Sequence, residues 1–119
     1  MPAHERFAAW KLCHQLTLDV YRATGEFPKH ELYGLTSQMR RAAVSVGANL
    51  AEGASKRGSR EFRRYLDISL GSLAELDYLF RCARDLGFLS AERWAGLQAL
   101  RDYAGAVTWR LYRSLGTRQ

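Results

Sequence analysis

Apolar residues recur at three- and four-residue steps in four stretches of this chain, and short breaks containing glycine, proline or serine separate the stretches. The first stretch, residues 5–25, carries two apolar arcs rather than one. Ala9, Leu12, Cys13, Leu16 and Val20 share one side of a helix, while Phe7, Trp10, His14, Leu18 and Tyr21 share another. One arc suffices to fill a monomer core. The aromatic second arc therefore calls for a subunit interface, or else lies half exposed against the N-terminal residues or a loop.

Gly25 ends this run, and Phe27-Pro28 opens a short turn that lasts to Tyr33, just before Gly34. Thr36 or Ser37 is positioned to cap the second helix, whose first amides need a side-chain oxygen. Its core stripe is Leu32, Leu35, Met39, Ala42, Ala43, Val46 and Leu50. A polar stripe of Gln38, Arg41, Ser45, Asn49 and Glu52 runs beside it. Small residues at Ala43, Gly47, Ala48 and Ala51 leave room for a close neighbour. The chain breaks over residues 53–58, and Ser59 followed by Glu61-Phe62 reads as the next helix start, although the glutamate is one residue early for a strict capping box. Phe62, Tyr65, Leu66, Ser69, Leu73, Leu76, Phe80 and Ala83 then face inward along a helix that lasts to about Asp85. Ser90, with Glu92 after it, caps a fourth helix whose inward residues are Leu97, Leu100, Ala104, Val107, Leu111 and Leu115. The prediction is an all-α, antiparallel up-and-down four-helix bundle, one domain over residues 1–119.

The length of 119 residues agrees with a single continuous core. No window reaches the apolar length of a membrane span, and the opening Met1-Pro2-Ala3-His4-Glu5-Arg6 lacks the charged-then-apolar order of an export signal, so a soluble cytoplasmic protein is expected. Cys13 and Cys82 lie in apolar helical surroundings without CxxC spacing, which predicts two buried, reduced thiols.

Charge changes the picture more than composition does. The formal net charge is +6, of which residues 1–52 contribute +1, residues 53–64 contribute +4 and residues 65–119 contribute +1. Lys56, Arg57, Arg60, Arg63 and Arg64 thus form a local patch opposed only by Glu61. Arg60 and Arg64 stand one helical turn apart, and Lys56-Arg57 occupy the approach to the amides of the third helix. Phosphates suit this mixture of guanidinium, ammonium and free amide donors. A solvated loop and an acidic protein partner are the other two readings. Tyr65 either stacks on a base or packs beneath the arginines.

Catalytic chemistry finds little support. His4, His14 and His30 are scattered over different elements, with no HExxH and no helical Glu-x-x-His pair. Ser45, Asn49 and Glu52 share a face, yet no histidine or lysine stands beside Ser45 to activate it. Hydrogen bonding is the simpler use for them, with Glu52 seeking a cation from residues 56–64 or Arg41 of a neighbouring subunit. Gly53-x-x-Lys56-x-Gly58 follows a helix and lacks the terminal GKS/T of a phosphate-binding loop. No enzyme activity, metal or cofactor is expected.

The central segment carries a resemblance. Trp10-Lys11 and Tyr21, then Phe27-Pro28-Lys29-x-Glu31-Leu32-Tyr33-Gly34-Leu35-Thr36-Ser37-Gln38-Met39-Arg40-Arg41-Ala42-Ala43-Val44-Ser45-Val46-x-Ala48-Asn49-Leu50-Ala51-Glu52-Gly53, with the later Arg57, Glu61-Phe62, Tyr65-Leu66, Gly71-Ser72-Leu73 and Glu75-Leu76, resemble the four-helix-bundle family first named for proteins encoded by intervening sequences in bacterial 23S ribosomal RNA genes. The resemblance implies a bundle assembled into a five-fold ring, with no assigned catalytic residues. It also implies similarity to the accessory subunit of diversity-generating retroelements, whose ring binds a reverse transcriptase and nucleic acid through basic surfaces. Arg40 and Arg41 match the family's paired arginines, and Arg57 its basic loop position. Family members often carry proline where Gly47 stands, so a bend in the second helix is not carried over.

These readings combine into one expectation: a non-enzymatic homopentamer contacting RNA or DNA phosphates through Arg40, Arg41, Lys56, Arg57, Arg60, Arg63 and Arg64. Phe7, Trp10, His14, Leu18 and Tyr21 are its expected subunit contacts. A scaffold for an acidic or reverse-transcriptase partner is the alternative, and an enzyme is a third reading that a deep pocket joining Glu52, Arg41 and a histidine would revive.

Overall fold

The computed structural model describes residues 3–116, with side chains from Arg6 onward; His4 and the start Met1-Pro2 belong to a reading that lies outside the described side chains. Four helices account for most of it: α1 (Ala3–Thr24), α2 (Leu35–Ala54), α3 (Ser59–Asp85) and α4 (Ala91–Gly116), with a 3₁₀ turn at Lys29–Glu31. Each helix packs on two others, in the cycle α1–α2–α3–α4–α1. Pairs across the interfaces run in opposite directions: Thr24 meets Arg40 while Thr17 meets Ala43, and Ser72 meets Ser45 while Ser69 meets Val46. The protein is an antiparallel four-helix bundle elongated to 47 × 25 × 18 Å.

Most of the predicted inward residues are buried, with Leu12, Leu35, Tyr65, Leu100 and Val107 half-buried at the edge of the core. Ala9, Cys13, Leu16, Val20, Met39, Ala43, Val46, Leu66, Leu73, Leu76, Phe80, Ala104 and Leu111 are all essentially inaccessible to solvent. Thr108, a polar residue, joins them, its hydroxyl 3.8 Å from Cys13 Sγ. Hydroxyls between the helices use backbone carbonyls: that of buried Ser69 donates to Val46 O at 2.8 Å, and that of half-buried Thr17 donates to Ala43 O at 3.0 Å. Each such bond prevents the cost of an unpaired polar group inside the bundle. Ala43 O is the carbonyl one turn before Gly47, the one a proline at that position would release. Helix α2 is continuous through Gly47.

Several local expectations need correction. Helix α2 begins at Leu35 with Gly34 as its N-cap, so neither Thr36 nor Ser37 caps it; Glu31 Oε1 instead accepts the Leu35 amide at 3.0 Å. Thr36 turns into the bundle and is buried. Leu32 is exposed, because the 3₁₀ turn leaves it outside the helical register that would aim it inward. Ser59 opens α3 but does not cap it: the N-cap is Gly58, at φ +86°, a left-handed conformation suited to glycine. Gly53 belongs to α2 rather than to the break, and Cys82 is only half-buried.

The far end of α3 closes by a Schellman motif. Phe88 N–H donates to Ala83 O at 2.8 Å and Gly87 N–H to Arg84 O at 3.0 Å, with Gly87 at φ +82°. The turn places Phe88 against Phe27, ring centres 5.6 Å apart, and so seals that end of the core. Ser90 Oγ accepts the Arg93 amide at 3.0 Å, the N-cap expected for α4.

Candidate nucleic-acid interface

Antiparallel packing gathers the start of α1, the α2–α3 turn and the end of α4 at one end of the rod. The register across the core, with Cys13 beside Thr108 and Gly47, and Ser45 beside Ser72, divides the described residues about mid-length. On the turn side, residues 6–14, 45–72 and 104–116 hold nine basic residues against three acidic ones; the remainder of 6–116 holds eight of each. The whole surplus therefore sits on one half. The sequence patch accounts for five of those cations, and Arg6, Lys11, Arg110 and Arg113 are added by the fold.

The two halves also differ in pairing. At the neutral end Arg22 meets Asp19 at 3.1 Å, Arg93 meets Glu26 at 3.5 Å, Arg81 meets Asp77 at 3.4 Å and Arg101 meets Asp102 at 2.6 Å. At the basic end Lys56 reaches Glu52 at 4.0 Å and Arg64 reaches Glu61 at 3.5 Å, both exposed pairs on a single helix or its end. Such pairs are worth about 0–1 kcal/mol, which a phosphate can displace. Among the described residues, Arg57, Arg60, Arg110 and Arg113 have no carboxylate in ion-pair range.

Tyr65 organises part of the patch. Lys56 Nζ lies 5.4 Å and Arg64 Cζ 5.2 Å from its ring centre, so the ring packs under two cations and holds them near one another. Arg63 leaves the group. Its guanidinium crosses to α4 and lies 4.2 Å over Tyr112, where Nε is buried without a hydrogen-bond partner. The expected five-cation cluster is thus four cations around the turn and one that links α3 to α4.

The amides at the start of α3 add to the positive field. Helix α2 spends an amide on Glu31 and α4 on Ser90, whereas α3 has no side-chain cap. Its first amides carry the positive end of the helix dipole and directly follow Lys56 and Arg57 in the chain, with Arg60 in the same turn.

Arg40 and Arg41 do not join this cluster within one chain. Arg40 Nε donates to Thr24 Oγ1 at 2.8 Å, and its guanidinium lies 4.7 Å over Tyr21, tying α2 to the end of α1. Arg41 lines a surface hollow with Gln38, Ala42, Ser45, Ser72 and Glu75. Inside it Ser72 Oγ donates to Ser45 Oγ at 2.8 Å, and Asn49 Nδ2 donates to Ser45 O at 2.9 Å, so the polar stripe forms a hydrogen-bond network between α2 and α3. Glu52 lies three helical turns from Arg41, beside Lys56, and no histidine lines the hollow. No cluster of three or more histidine, cysteine or carboxylate side chains able to hold a metal occurs among the described residues. Nor is any helix among them long and apolar enough to cross a membrane.

The second arc of α1 lies on the surface of the isolated chain. Phe7 is 60% exposed, and Trp10, Leu18 and Tyr21 are exposed as well. Trp10 stacks on His14 with ring centres 4.9 Å apart and on Phe7 at 6.3 Å, forming a preordered aromatic ridge.

No curated protein matches this chain. A crystal structure from Bacteroides thetaiotaomicron, of a protein with unknown function from the S23 ribosomal protein family, superposes with a TM-score of 0.85, covering 92% of this chain and 98% of that one. At 13% identity that likeness shows the same fold. The profile of the 23S rRNA-intervening sequence protein family matches residues 5–107. That span takes in α2, α3, the basic turn between them and most of α1 and α4, and the chain belongs to the 23S rRNA-intervening sequence protein family.

Proposed function

We propose that this protein is a non-enzymatic, homo-oligomeric adaptor of the cytoplasm that contacts RNA or DNA phosphates through the basic end of its bundle. The observation that carries the reading is the segregation of the entire charge surplus to the half that also presents the uncapped start of α3. Arg57 and Arg60 supply unopposed guanidinium groups, Lys56 and Arg64 supply cations steadied on Tyr65, and Arg110 and Arg113 extend the surface along α4. Contacts of this kind fix a backbone and read base identity weakly.

The aromatic ridge of Phe7, Trp10 and His14, continued by Leu18 and Tyr21, is the subunit contact in this reading, and five copies is the count that the family resemblance implies. Repetition around a ring multiplies weak phosphate contacts through effective concentration. Arg40 and Arg41, roughly 20 Å along α2 from Lys56 at the helical rise, take part only where a neighbouring copy presents them beside the turn. A protein scaffold is the second reading, favoured by the same ridge: the partner is then an acidic protein or a reverse transcriptase docking on the exposed aromatics.

Location separates phosphate binding from nonspecific attraction. Replacing Arg57, Arg60 and Arg64 by alanine is expected to weaken binding to short RNA and DNA strongly, while replacing Arg22, Arg81 and Arg93 at the other end removes the same charge and leaves binding nearly intact. Equal losses in the two triple variants contradict the proposed site.

A further inference from the structure

We infer that Trp109 and Tyr112, on the last turns of α4, form a stacking platform for an unpaired base, so that the basic end takes single-stranded nucleic acid. The inference rests on the phosphate-binding reading above and adds what the bases of the bound strand do. The two rings are stacked, centres 5.5 Å apart and planes 16° from parallel. Arg63 lies over Tyr112, so Tyr112 is in contact with both Arg63, near the start of α3, and Trp109, at the surface of α4. Trp109 remains 49% exposed although its neighbours Thr108 and Leu111 are buried. A large indole left at the surface, with its partner ring already clamped, is a preordered flat face.

Charge decides the class of occupant. Arg110 adjoins Trp109, and Arg113 stands one helical turn beyond it on the same side. A polyanion with planar groups satisfies both features at once, which is how proteins hold unpaired strands: cations follow the backbone while aromatics receive bases. Duplex nucleic acid keeps its base faces inside its own stack and offers the ring nothing. An acidic peptide matches the charge but brings no regular supply of planar faces.

The test measures fluorescence-anisotropy affinities for short unstructured RNA and DNA oligonucleotides, for the same oligonucleotides with abasic central positions, and for duplex of equal length. Wild type is expected to bind the intact strand about tenfold more tightly than the abasic one, the size of one base–aromatic stack. Trp109→Ala is expected to bind both strands alike at the weaker level with an unchanged salt dependence, and Trp109→Phe to keep most of the preference. Salt-dependent binding that is equal for intact and abasic strands overturns the platform and leaves the phosphate reading standing. Absence of salt-dependent binding to every oligonucleotide overturns both, and an acidic protein becomes the fitting partner. Should Trp109→Ala fail to fold, the intact-against-abasic comparison on wild type decides the matter by itself.

Discussion

The Arg63 guanidinium carbon lies 4.2 Å from the centre of the Tyr112 ring, joining the second turn of α3 to the last turns of α4. It takes one cation away from the α2–α3 turn and fixes the ends of two helices side by side, which brings Arg110 and Arg113 into the basic surface. A side chain used this way works by packing as well as by charge.

Arg63→Ala is therefore expected to destabilise the bundle by about 1 kcal/mol, through the lost cation–π contact and stem packing. Arg60→Ala, exposed and unopposed, is expected to leave the melting temperature unchanged and to weaken RNA binding more than Arg63→Ala does. Thermal melts and binding isotherms on the two variants check the division of roles.

Two glycines of α2 should respond oppositely to alanine. A Cβ on Gly53 would stand 2.7 Å from Tyr65 Cβ and 3.0 Å from Phe62 Cδ1, too close for helix α3 to stay where it is. Gly53→Ala is expected to cost about 1–3 kcal/mol despite its better helix propensity. A Cβ on Gly47 would meet Cys13 Cβ at an ordinary 3.7 Å, so Gly47→Ala is expected to stabilise by about 0.5–1 kcal/mol. Chemical denaturation of both variants settles the sign of each.

Burial pushes the Cys13 thiol up to about 11, and the contact with Thr108 offsets this only in part. The folded state thus holds this proton longer than the unfolded chain does. Its contribution is complete below pH 9 and is lost as pH rises toward 11, at about 1.4 kcal/mol per pH unit. Cys13→Ala is expected to lower stability at neutral pH and to flatten the alkaline limb. Unfolding free energies of both proteins over that window provide the check, and the same burial predicts slow labelling of Cys13 by thiol reagents beside the half-buried Cys82.

Trp10→Glu places a charge in the exposed ridge of α1 without touching the core. The expected outcome is a smaller species by light scattering with unchanged helix content, because the ridge is the proposed contact between copies.

The core was legible because helical period is a strong signal: every inward residue of the first arc of α1, and Met39, Val46, Leu66, Phe80 and Leu111 elsewhere, lies where three- and four-residue spacing puts it. Helix starts were less legible. Thr36 and Ser37 have the right chemistry for a cap, but the helix starts earlier, at Leu35, and Glu31 takes its first amide from across the 3₁₀ turn, a geometry that spacing alone does not reveal. Thr108 was missed because its polarity hides a core position whose hydroxyl finds Cys13. The basic turn was visible as a run of charges, whereas Arg110 and Arg113 are distant in sequence and only antiparallel packing brings them near. That signal was available in principle, since an up-and-down bundle always sets the end of its fourth helix beside the start of its third. The diversion of Arg63 to Tyr112 depends on side-chain geometry and left no trace in the pattern.

The salt dependence of RNA binding tests the basic end most directly. For a single strand, the logarithm of affinity falls with the logarithm of salt at about 0.7 per phosphate neutralised. Four to six cations at the turn and on α4 predict a slope of about −3 to −4, and replacing Arg57, Arg60 and Arg64 by alanine predicts one shallower by about 2. A slope near zero in the wild type, or the same slope in the triple variant, would contradict the account.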